Sequence, residues 1–409
     1  MRKILQKYLE LLKNRDFLIL TLVIFIGQAA SAFLVLALIV SVFKQTGSNF
    51  GVSGIILSFA LPAFLLMAIS GLVADLFDRK IIIVFANTFI ALVVLLILIS
   101  NQAFYASIPL AFLYFAGNSF FIPASSAATA QLVKKRQLLL ANSLFISALA
   151  GGVIMGLFLA AVVSFFAGAE IVLIICEVLL ILAAIFSLFL PKLLPRKRAN
   201  FTIIKTLADI WKSFVYIFDH KVIWFFFVMF ALVQGIIAFG ITLAPGFFEE
   251  IVGINIEKSP LLIFPLIGIG VLLGIVVSHL PGKKEGILVS LGLAVLGLAT
   301  AAVGSFVNVF GTADLLLVPV VFFLIAVGLG SVVVLVASRA ALQENVSHHY
   351  QGTVFGTNII LASFFSGLFS PAAATFEAIW GYANLLLGAG IVITLVSSFC
   401  LYAAKKWKF

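Results

Sequence analysis

The sequence predicts an all-α membrane protein with twelve transmembrane helices in two six-helix halves. Three observations predict this fold: 64% of the 409 residues are hydrophobic, long apolar runs recur along the chain, and the basic residues are spread unevenly between the loops. An apolar run of about 18 or more residues can cross a hydrocarbon core of roughly 30 Å as a helix. The apolar fraction exceeds that of a soluble globular protein, and the strand alternation of an outer-membrane barrel is missing.

In the N-terminal half, residues 1–190, short loops separate six apolar runs. Basic residues such as Arg79 and Lys80 occupy the loops after the second and fourth runs. In the fifth run, Gly152 and Gly156 form a GxxxG pair, which permits close contact with another helix. The six predicted spans are residues 17–43, 51–74, 81–100, 104–130, 138–167 and 171–190.

The C-terminal half, residues 222–409, repeats this organisation. The loop "SHLPGKKEGIL" after the eighth span corresponds to the loop after the second, and "LQENVSHHYQGTVFG" after the tenth corresponds to the loop after the fourth. Such internal similarity is typical of transporters built from repeated halves. The six predicted spans are residues 222–248, 260–280, 286–310, 313–337, 352–376 and 379–403.

A linker of residues 191–221 joins the two halves. It opens with the basic cluster "PKLLPRKR" and continues with apolar residues at three- and four-residue steps, among them Ile203, Leu207 and Trp211. This spacing is typical of an amphipathic helix in the membrane interface. A plain linker is equally compatible with it.

The basic residues set the orientation. Of the 25 Lys and Arg residues, 23 fall on the side that holds both termini, and only Lys44 and Lys258 fall opposite. Because cytoplasmic loops carry the excess of Lys and Arg, the sequence predicts a multi-pass protein of the cytoplasmic membrane with both termini in the cytoplasm. The net charge of +10 then reflects topology and contact with anionic lipids, and no nucleic-acid partner is expected.

The segment "SGLVADLFDRK", residues 70–80, concentrates charge in a chain with only 10% charged residues. It resembles the loop between the second and third helices of the major facilitator superfamily through Gly71, Val73, Ala74, Asp75, Arg79 and Lys80. Leu76 replaces a basic residue of that pattern and Asp78 replaces a glycine. An Asp at this second place, together with "SFFIPASSAATAQLVKKRQLLLANSLF", resembles the branch that contains the enterobactin exporter and macrolide-efflux-like proteins.

The resemblance implies a gate on the cytoplasmic side. Asp75 is expected to face the N-terminal end of the eleventh span, near Gly352 and Thr353, and to leave it when the halves rock. A carboxylate at a helix N-terminus is stabilised by roughly 0.3–1 kcal/mol. The residues expected in this gate are Gly71, Asp75, Asp78, Arg79, Lys80, Gly352 and Thr353.

The resemblance also implies a central cavity lined by the first, fourth, seventh and tenth spans, with the second, fifth, eighth and eleventh beside them. The candidate substrate-binding residues there are Gln28, Asn118, Asn142, Gln234 and Asn358. Each one could equally make an interhelical hydrogen bond. Glu177 is the acidic residue well inside a span, so it is a candidate for proton coupling, with a helix-packing contact as the alternative.

These observations favour a secondary transporter that exports lipophilic or amphipathic small molecules by alternating access, with proton antiport as an inference from the resemblance. The expected partners are that substrate, membrane lipids and, if transport is coupled, protons; a monomer is expected, with no cofactor and no metal. A lysophospholipid or other lipid transporter of the same fold stays open, as does a membrane-embedded lipid-modifying enzyme. The enzyme is less favoured because the histidines lie in loops or at span ends without metal-ligand spacing.

Overall fold

The computed structural model describes residues 11, 13–100, 103–134, 137–194, 203–279, 284–311, 316–347 and 350–407. The second half of the linker's basic cluster, residues 195–198, lies outside these residues. The helices are α1 (Arg15–Thr46), α2 (Asn49–Leu76), α3 (Arg79–Ile99), α4 (Phe104–Leu132), α5 (Leu138–Leu188), α6 (Ile203–Asp219), α7 (Lys221–Gly246), α8 (Ser259–Ser278), α9 (Glu285–Phe310), α10 (Leu317–Asn345) and α11 (Gln351–Trp407). A π-helical turn, Phe247–Ile251, continues α7.

Ten helices in the described part of the chain are long and apolar enough to cross a membrane. Two of them are too long for a single crossing, because α5 has 51 residues and α11 has 57. At 1.5 Å per residue each would extend roughly 75–85 Å, more than twice the thickness of the hydrocarbon core. Each therefore supplies two spans, which confirms the all-α fold with twelve transmembrane helices.

A glycine breaks each of the two long helices. Gly168 in α5 has φ 80° and ψ 173°, and Gly381 in α11 has φ 71° and ψ 166°. A positive φ is readily available to glycine, whereas a side chain makes it costly. The two breaks connect spans 5 to 6 and 11 to 12, so the two halves make the same connection in the same way.

The chain divides into two compact units. Unit 1 comprises Met1–Thr46 and Leu61–Leu207, and unit 2 comprises Gly47–Ala60 and Ala208–Phe409. The first part of α2 therefore packs with α7 and α11 in unit 2, and the remainder of α2 belongs to unit 1. The boundary near residue 207 falls inside the predicted linker.

In unit 1, α1 packs closely on α5. A Cβ atom added to Gly156 would lie 2.7 Å from the Cα of Ala29, and one added to Gly152 would lie 2.8 Å from the Cβ of Gln28. Real side chains do not tolerate such distances, so both positions require glycine. The close contact expected from the GxxxG pair is confirmed.

In unit 2, small residues bring α8 close to α10. A Cβ atom on Gly270 would collide with the Ile325 carbonyl oxygen, and one on Gly328 with the Ile267 carbonyl oxygen. Helices in lipid associate largely through such close packing, since lipid chains are as apolar as the side chains between them.

The linker contains a helix, α6, whose last turns pack on unit 2. Ile217 is fully buried in a cluster that includes Phe226 and Val354, and Tyr216 stacks on Tyr350 with ring centroids 4.5 Å apart. Trp211 is exposed on another side of α6. The helix is thus anchored at its C-terminal end and presents an aromatic side chain outward.

Candidate functional site

Asp78 caps the N-terminus of α3. Its backbone is extended, with φ −61° and ψ 118°, and its Oδ1 accepts a hydrogen bond of 2.9 Å from the Lys80 backbone N–H. An Asp in this position satisfies an N–H group that has no partner inside the helix. The same Oδ1 accepts a 2.9 Å hydrogen bond from the Leu193 N–H. The carboxylate of Asp78 therefore ties the α2–α3 turn to the segment that follows α5.

The segment after α5 is held at two further points. The Arg79 N–H donates to the Leu193 carbonyl over 3.2 Å, and Gln131 Nε2 at the end of α4 donates to the Leu194 carbonyl over 2.9 Å. Asn14, just before α1, donates from Nδ2 to the Leu132 carbonyl over 2.8 Å. These contacts gather the helix ends of unit 1 that the predicted topology places on the side of the chain termini.

The predicted gate residues fall in both units. Asp75 is exposed in the last turn of α2, and Gly71 has open space where a Cβ atom would lie. Gly352 and Thr353 lie in the first turn of α11, where the Thr353 hydroxyl donates to the Tyr350 carbonyl over 3.0 Å. Asp75 belongs to unit 1 and Thr353 to unit 2. The gate would require a contact between the two units, so it stays a prediction.

Arg79 differs from Lys80, its neighbour. Its side chain is only 8% exposed, although it stands at the start of α3. Its Nε and Nη1 atoms have no hydrogen-bond partner in the part of the chain that the structure describes. A buried cation without an anion among the described residues is costly.

A second polar cluster lies in unit 2, at helix ends that the predicted topology places opposite the termini. Asn49, the first residue of α2, is 3% exposed. Its Nδ2 donates to Tyr382 Oη over 2.7 Å and to Glu377 Oε2 over 3.1 Å. Gly246 makes room for this arrangement, because a Cβ atom there would collide with the Tyr382 hydroxyl. We call Asn49, Gly246, Glu377 and Tyr382 the Asn49 cluster.

The structure places the three predicted substrate residues of unit 1 in different surroundings. Gln28 in α1 is buried against Gly152, and its Nε2 has no hydrogen-bond partner among the described residues. Asn118 in α4 is half-buried, and Asn142 near the start of α5 is exposed. No hydrogen bond in the described part of the chain joins any two of them.

In unit 2, Asn358 makes an interhelical hydrogen bond. Its side chain is buried, and Nδ2 donates to the Phe227 carbonyl in α7 over 2.9 Å. Gln234, also in α7, is half-buried, and its backbone carbonyl accepts a 3.4 Å hydrogen bond from the Ser366 hydroxyl. Both residues therefore lie along the contact between α7 and α11. The geometry of Asn358 supports the alternative interpretation, a bond that holds two helices together.

Glu177 lies in the second half of α5 and is only 8% exposed. Its Oε2 has no hydrogen-bond partner among the described residues. The preceding residue, Cys176, donates from Sγ to the Ala30 carbonyl over 3.2 Å, so this part of α5 packs on α1. Within the described ranges, no group of three or more His, Cys, Asp and Glu side chains is arranged to hold a metal ion.

Sequence reasoning missed the capping role of Asp78 and the Asn49 cluster. The first had a signal, since an Asp directly before an apolar helical run is a typical N-cap. The second had only a weak signal, because Asn49, Glu377 and Tyr382 are polar residues near predicted span ends and Asn49 is more than 300 positions from the other two. Their meeting depends on the packing of α2 beside α11.

Comparisons with known proteins agree with this architecture. The family model described as Major Facilitator Superfamily matches residues 17–371. No curated protein matches the sequence. Among solved structures, the nucleoside transporter NupG is similar with a TM-score of 0.73 at 15% identity, over 95% of this chain and 99% of that one. A POT family transporter in complex with 5-aminolevulinic acid has a TM-score of 0.77 at 12% identity, over 96% of each chain.

Proposed function

The chain belongs to the Major Facilitator Superfamily, and from that premise we propose that it exports lipophilic or amphipathic small molecules by alternating access. The family makes it a transporter and not an enzyme. The similar solved structures include a nucleoside transporter and a POT family transporter in complex with a conjugated peptide, but at such low identity the likeness concerns the fold alone. The chemical class of the cargo therefore has to follow from the residues of this protein.

One observation supports a lipophilic cargo. No Asp, Glu, Lys or Arg occurs in α1 between Phe17 and Phe43, anywhere in α4, or in α7 after Lys221. In the family these helices line the central cavity, as the resemblance implies. A strongly polar or charged substrate would need charged or hydrogen-bonding partners after losing its water, whereas a lipophilic one needs apolar side chains and a few amides. Gln28, Asn118 and Gln234 would supply those amides.

A lysophospholipid or other membrane lipid is the alternative cargo. The same uncharged helices favour it, because its chains also need an apolar path. The two candidates differ in the headgroup, which would need a polar site at one end of that path. Asn142 is a further amide assigned to substrate binding in this proposal. Asn358 belongs to it only if its hydrogen bond to the Phe227 carbonyl is exchanged for one to the substrate.

We place the protein in the cytoplasmic membrane as a monomer, with both termini in the cytoplasm. Alternating access requires contacts that exist in one state and break in the other. We propose Asp75 with Gly352 and Thr353 as one such contact on the cytoplasmic side, and the Asn49 cluster as another on the opposite side. Gly71, Asp78, Arg79 and Lys80 shape the turn that carries Asp75.

Coupling to protons is a further part of the proposal. Glu177 is the candidate, since its carboxylate is buried in α5 and carries an oxygen without a partner among the described residues. Buried ionisable residues inside membrane spans often belong to proton relays. A packing role against α1 would leave transport unchanged in a Glu177→Gln variant.

The test is flux through the purified protein in liposomes. Lipophilic drugs and lysophospholipids are offered with and without an imposed pH gradient. We expect gradient-dependent flux of at least one lipophilic drug that exceeds flux in protein-free vesicles. Flux of lysophospholipid alone would select the lipid alternative, and failure of both to cross would contradict the proposal.

A further inference from the structure

An apolar groove runs along the surface of unit 1, between the end of α2, the first half of α3 and the middle of α4. It has a volume of about 400 Å³. Only hydrocarbon and aromatic side chains and one glycine line it, among them Val73, Phe77, Ile81, Phe85 and Gly117. The position of Phe89 in the groove requires glycine at residue 117, because a Cβ atom there would lie 2.8 Å from the ring of Phe89.

The groove opens towards the lipid. Phe77 and Ile81 are exposed, and Phe85 is 70% exposed. In depth it extends from the α2–α3 turn to Phe89. Ten residues of helix from Arg79 to Phe89 measure about 15 Å, which is about half the thickness of the hydrocarbon core. The groove therefore has the length of one leaflet, the leaflet on the side of the chain termini.

Basic residues lie in and beside the α2–α3 turn, next to the residues that line the groove. Arg79 lies on the same face of α3 as Ile82 and Ala86, which line the groove. Its buried guanidinium has two nitrogens without a hydrogen-bond partner among the described residues. Lys80 is next in the chain, and Lys192 is exposed beside Leu193, the residue that binds the Arg79 N–H.

Two carboxylates lie in the same turn, and they leave Arg79 available. Asp78 Oδ1 is occupied by two backbone N–H groups, and Asp75 is exposed on α2. With Arg79, Lys80 and Lys192 against Asp75 and Asp78, the end of the groove is cationic overall. Basic pockets at the ends of membrane helices are sites for anionic lipid headgroups.

We infer that this groove binds an anionic phospholipid, with one acyl chain along Phe77, Ile81 and Phe85 and its phosphate at Arg79. The phosphate supplies the acceptors that the guanidinium lacks, in a charge-assisted hydrogen bond. The acyl chain fills the apolar groove, which has the length of one leaflet. The inference concerns a lipid site on the outer surface of unit 1 and does not depend on the cargo.

Quenching of a tryptophan by brominated lipids tests this site. The full-length Phe85→Trp variant is reconstituted in equimolar phosphatidylglycerol and phosphatidylcholine, with bromine on the chains of one lipid or the other. The wild type provides the baseline for the four native tryptophans. We expect a preference of about fivefold or more for phosphatidylglycerol, since each basic residue near the surface contributes about 1 kcal/mol. Equal quenching by the two lipids overturns the inference.

Two controls complete the experiment. Phe322 in α10 is 69% exposed, so Phe322→Trp reports a lipid-facing position of matched exposure outside the groove, and we expect no lipid preference there. Adding Arg79→Gln to Phe85→Trp should lower the preference about fivefold. A Phe322→Trp preference equal to that of Phe85→Trp, or a preference that survives Arg79→Gln, refutes the site. Lys80→Gln gives a second charge variant if the first does not fold.

Discussion

Asp78 and Arg79 are adjacent residues whose side chains have different surroundings. The carboxylate of Asp78 accepts two backbone hydrogen bonds, from Lys80 and Leu193. The guanidinium of Arg79 is buried, with two nitrogens that lack a partner among the described residues. Asp78 is thus a structural cap, and Arg79 is the residue of this turn to which the inferred lipid site assigns the phosphate. Asp75, one turn earlier, is exposed and available for the proposed gate.

The first prediction at this scale concerns Asp75. Asp75→Asn removes the negative charge and keeps the size, so the attraction to the start of α11 is lost. A carboxylate at a helix N-terminus is stabilised by up to about 2 kcal/mol in a partly buried geometry. We therefore expect flux in liposomes to fall about tenfold or more, while membrane insertion stays normal. Asp219→Asn, an exposed acid in α6, is the control and should transport normally. Unchanged flux in Asp75→Asn would exclude this residue from the gate.

The second residue-scale prediction concerns the Asn49 cluster. Asn49→Ala loses two hydrogen bonds, whereas Tyr382→Phe loses one, so the first should destabilise the protein more. A buried hydrogen bond contributes about 0.5–1.5 kcal/mol. In a double-mutant cycle of thermal unfolding in detergent, we expect a coupling of about 0.5–1 kcal/mol between the two sites. A coupling of zero would show that the Asn49–Tyr382 bond is not formed in solution.

At the scale of helices, glycines determine how closely two of them approach. In α5, Gly152 and Gly156 let α1 approach to backbone contact. In the same helix, the non-helical backbone at Gly168 separates two segments, each of which crosses the membrane once. The first role depends on the missing side chain and the second on the positive φ. Glycine thus determines both the close contact between α1 and α5 and the connection between spans 5 and 6.

The element-scale prediction separates a packed glycine from an open one. A Cβ atom on Gly156 would lie 2.7 Å from the backbone of Ala29, whereas nothing lies within 4 Å of one on Gly268 in α8. We expect Gly156→Ala to lower the unfolding free energy by about 1–3 kcal/mol, as overpacking does. Gly268→Ala should be neutral or slightly stabilising. Equal melting temperatures for the two variants would mean that α1 and α5 are less closely packed than described.

At the scale of the whole molecule, the connections alternate between two sides. In unit 1 the contacts of Asp78, Gln131 and Asn14 join helix ends on the side of the termini. In unit 2 the contacts of Asn49 join helix ends on the other side. Both sets agree with twelve crossings. The glycine breaks at Gly168 and Gly381 take equivalent places in the two halves, which extends the internal similarity of the loops to the backbone.

For the whole molecule, we predict on which side of the membrane each end of α8 lies. The two native cysteines are buried, so the background of a thiol-labelling experiment is low. In intact cells, a membrane-impermeant reagent should label Lys258→Cys, which precedes α8, and should label Lys284→Cys, which follows it, only after permeabilisation. This orientation puts the excess of basic residues in the cytoplasm. Labelling of both variants in intact cells would contradict it.

The sequence predicted much of the fold and less of the sites. The twelve predicted spans fall on the observed helices, and the predicted gap between the fifth and sixth contains Gly168. The break at Gly381, however, lies inside the predicted twelfth span and not before it. Gln28, Asn118, Asn142, Gln234 and Asn358 were chosen as polar residues inside spans, and the structure shows that Asn358 bridges two helices. Polarity marks a residue as unusual in the membrane but does not say what it faces.

The sequence by itself determined the class of protein and the number of crossings, and it predicts the side on which the basic loops lie. These are local properties, since the cost of placing a charge or an open backbone group in hydrocarbon depends on the segment alone. The tertiary structure alone decided that Asn49 meets Tyr382, that Leu193 joins Asp78, and that Phe77 and Gly117 line one groove. Those contacts join residues far apart in the chain, and only the packing of helices against each other brings them within bonding distance.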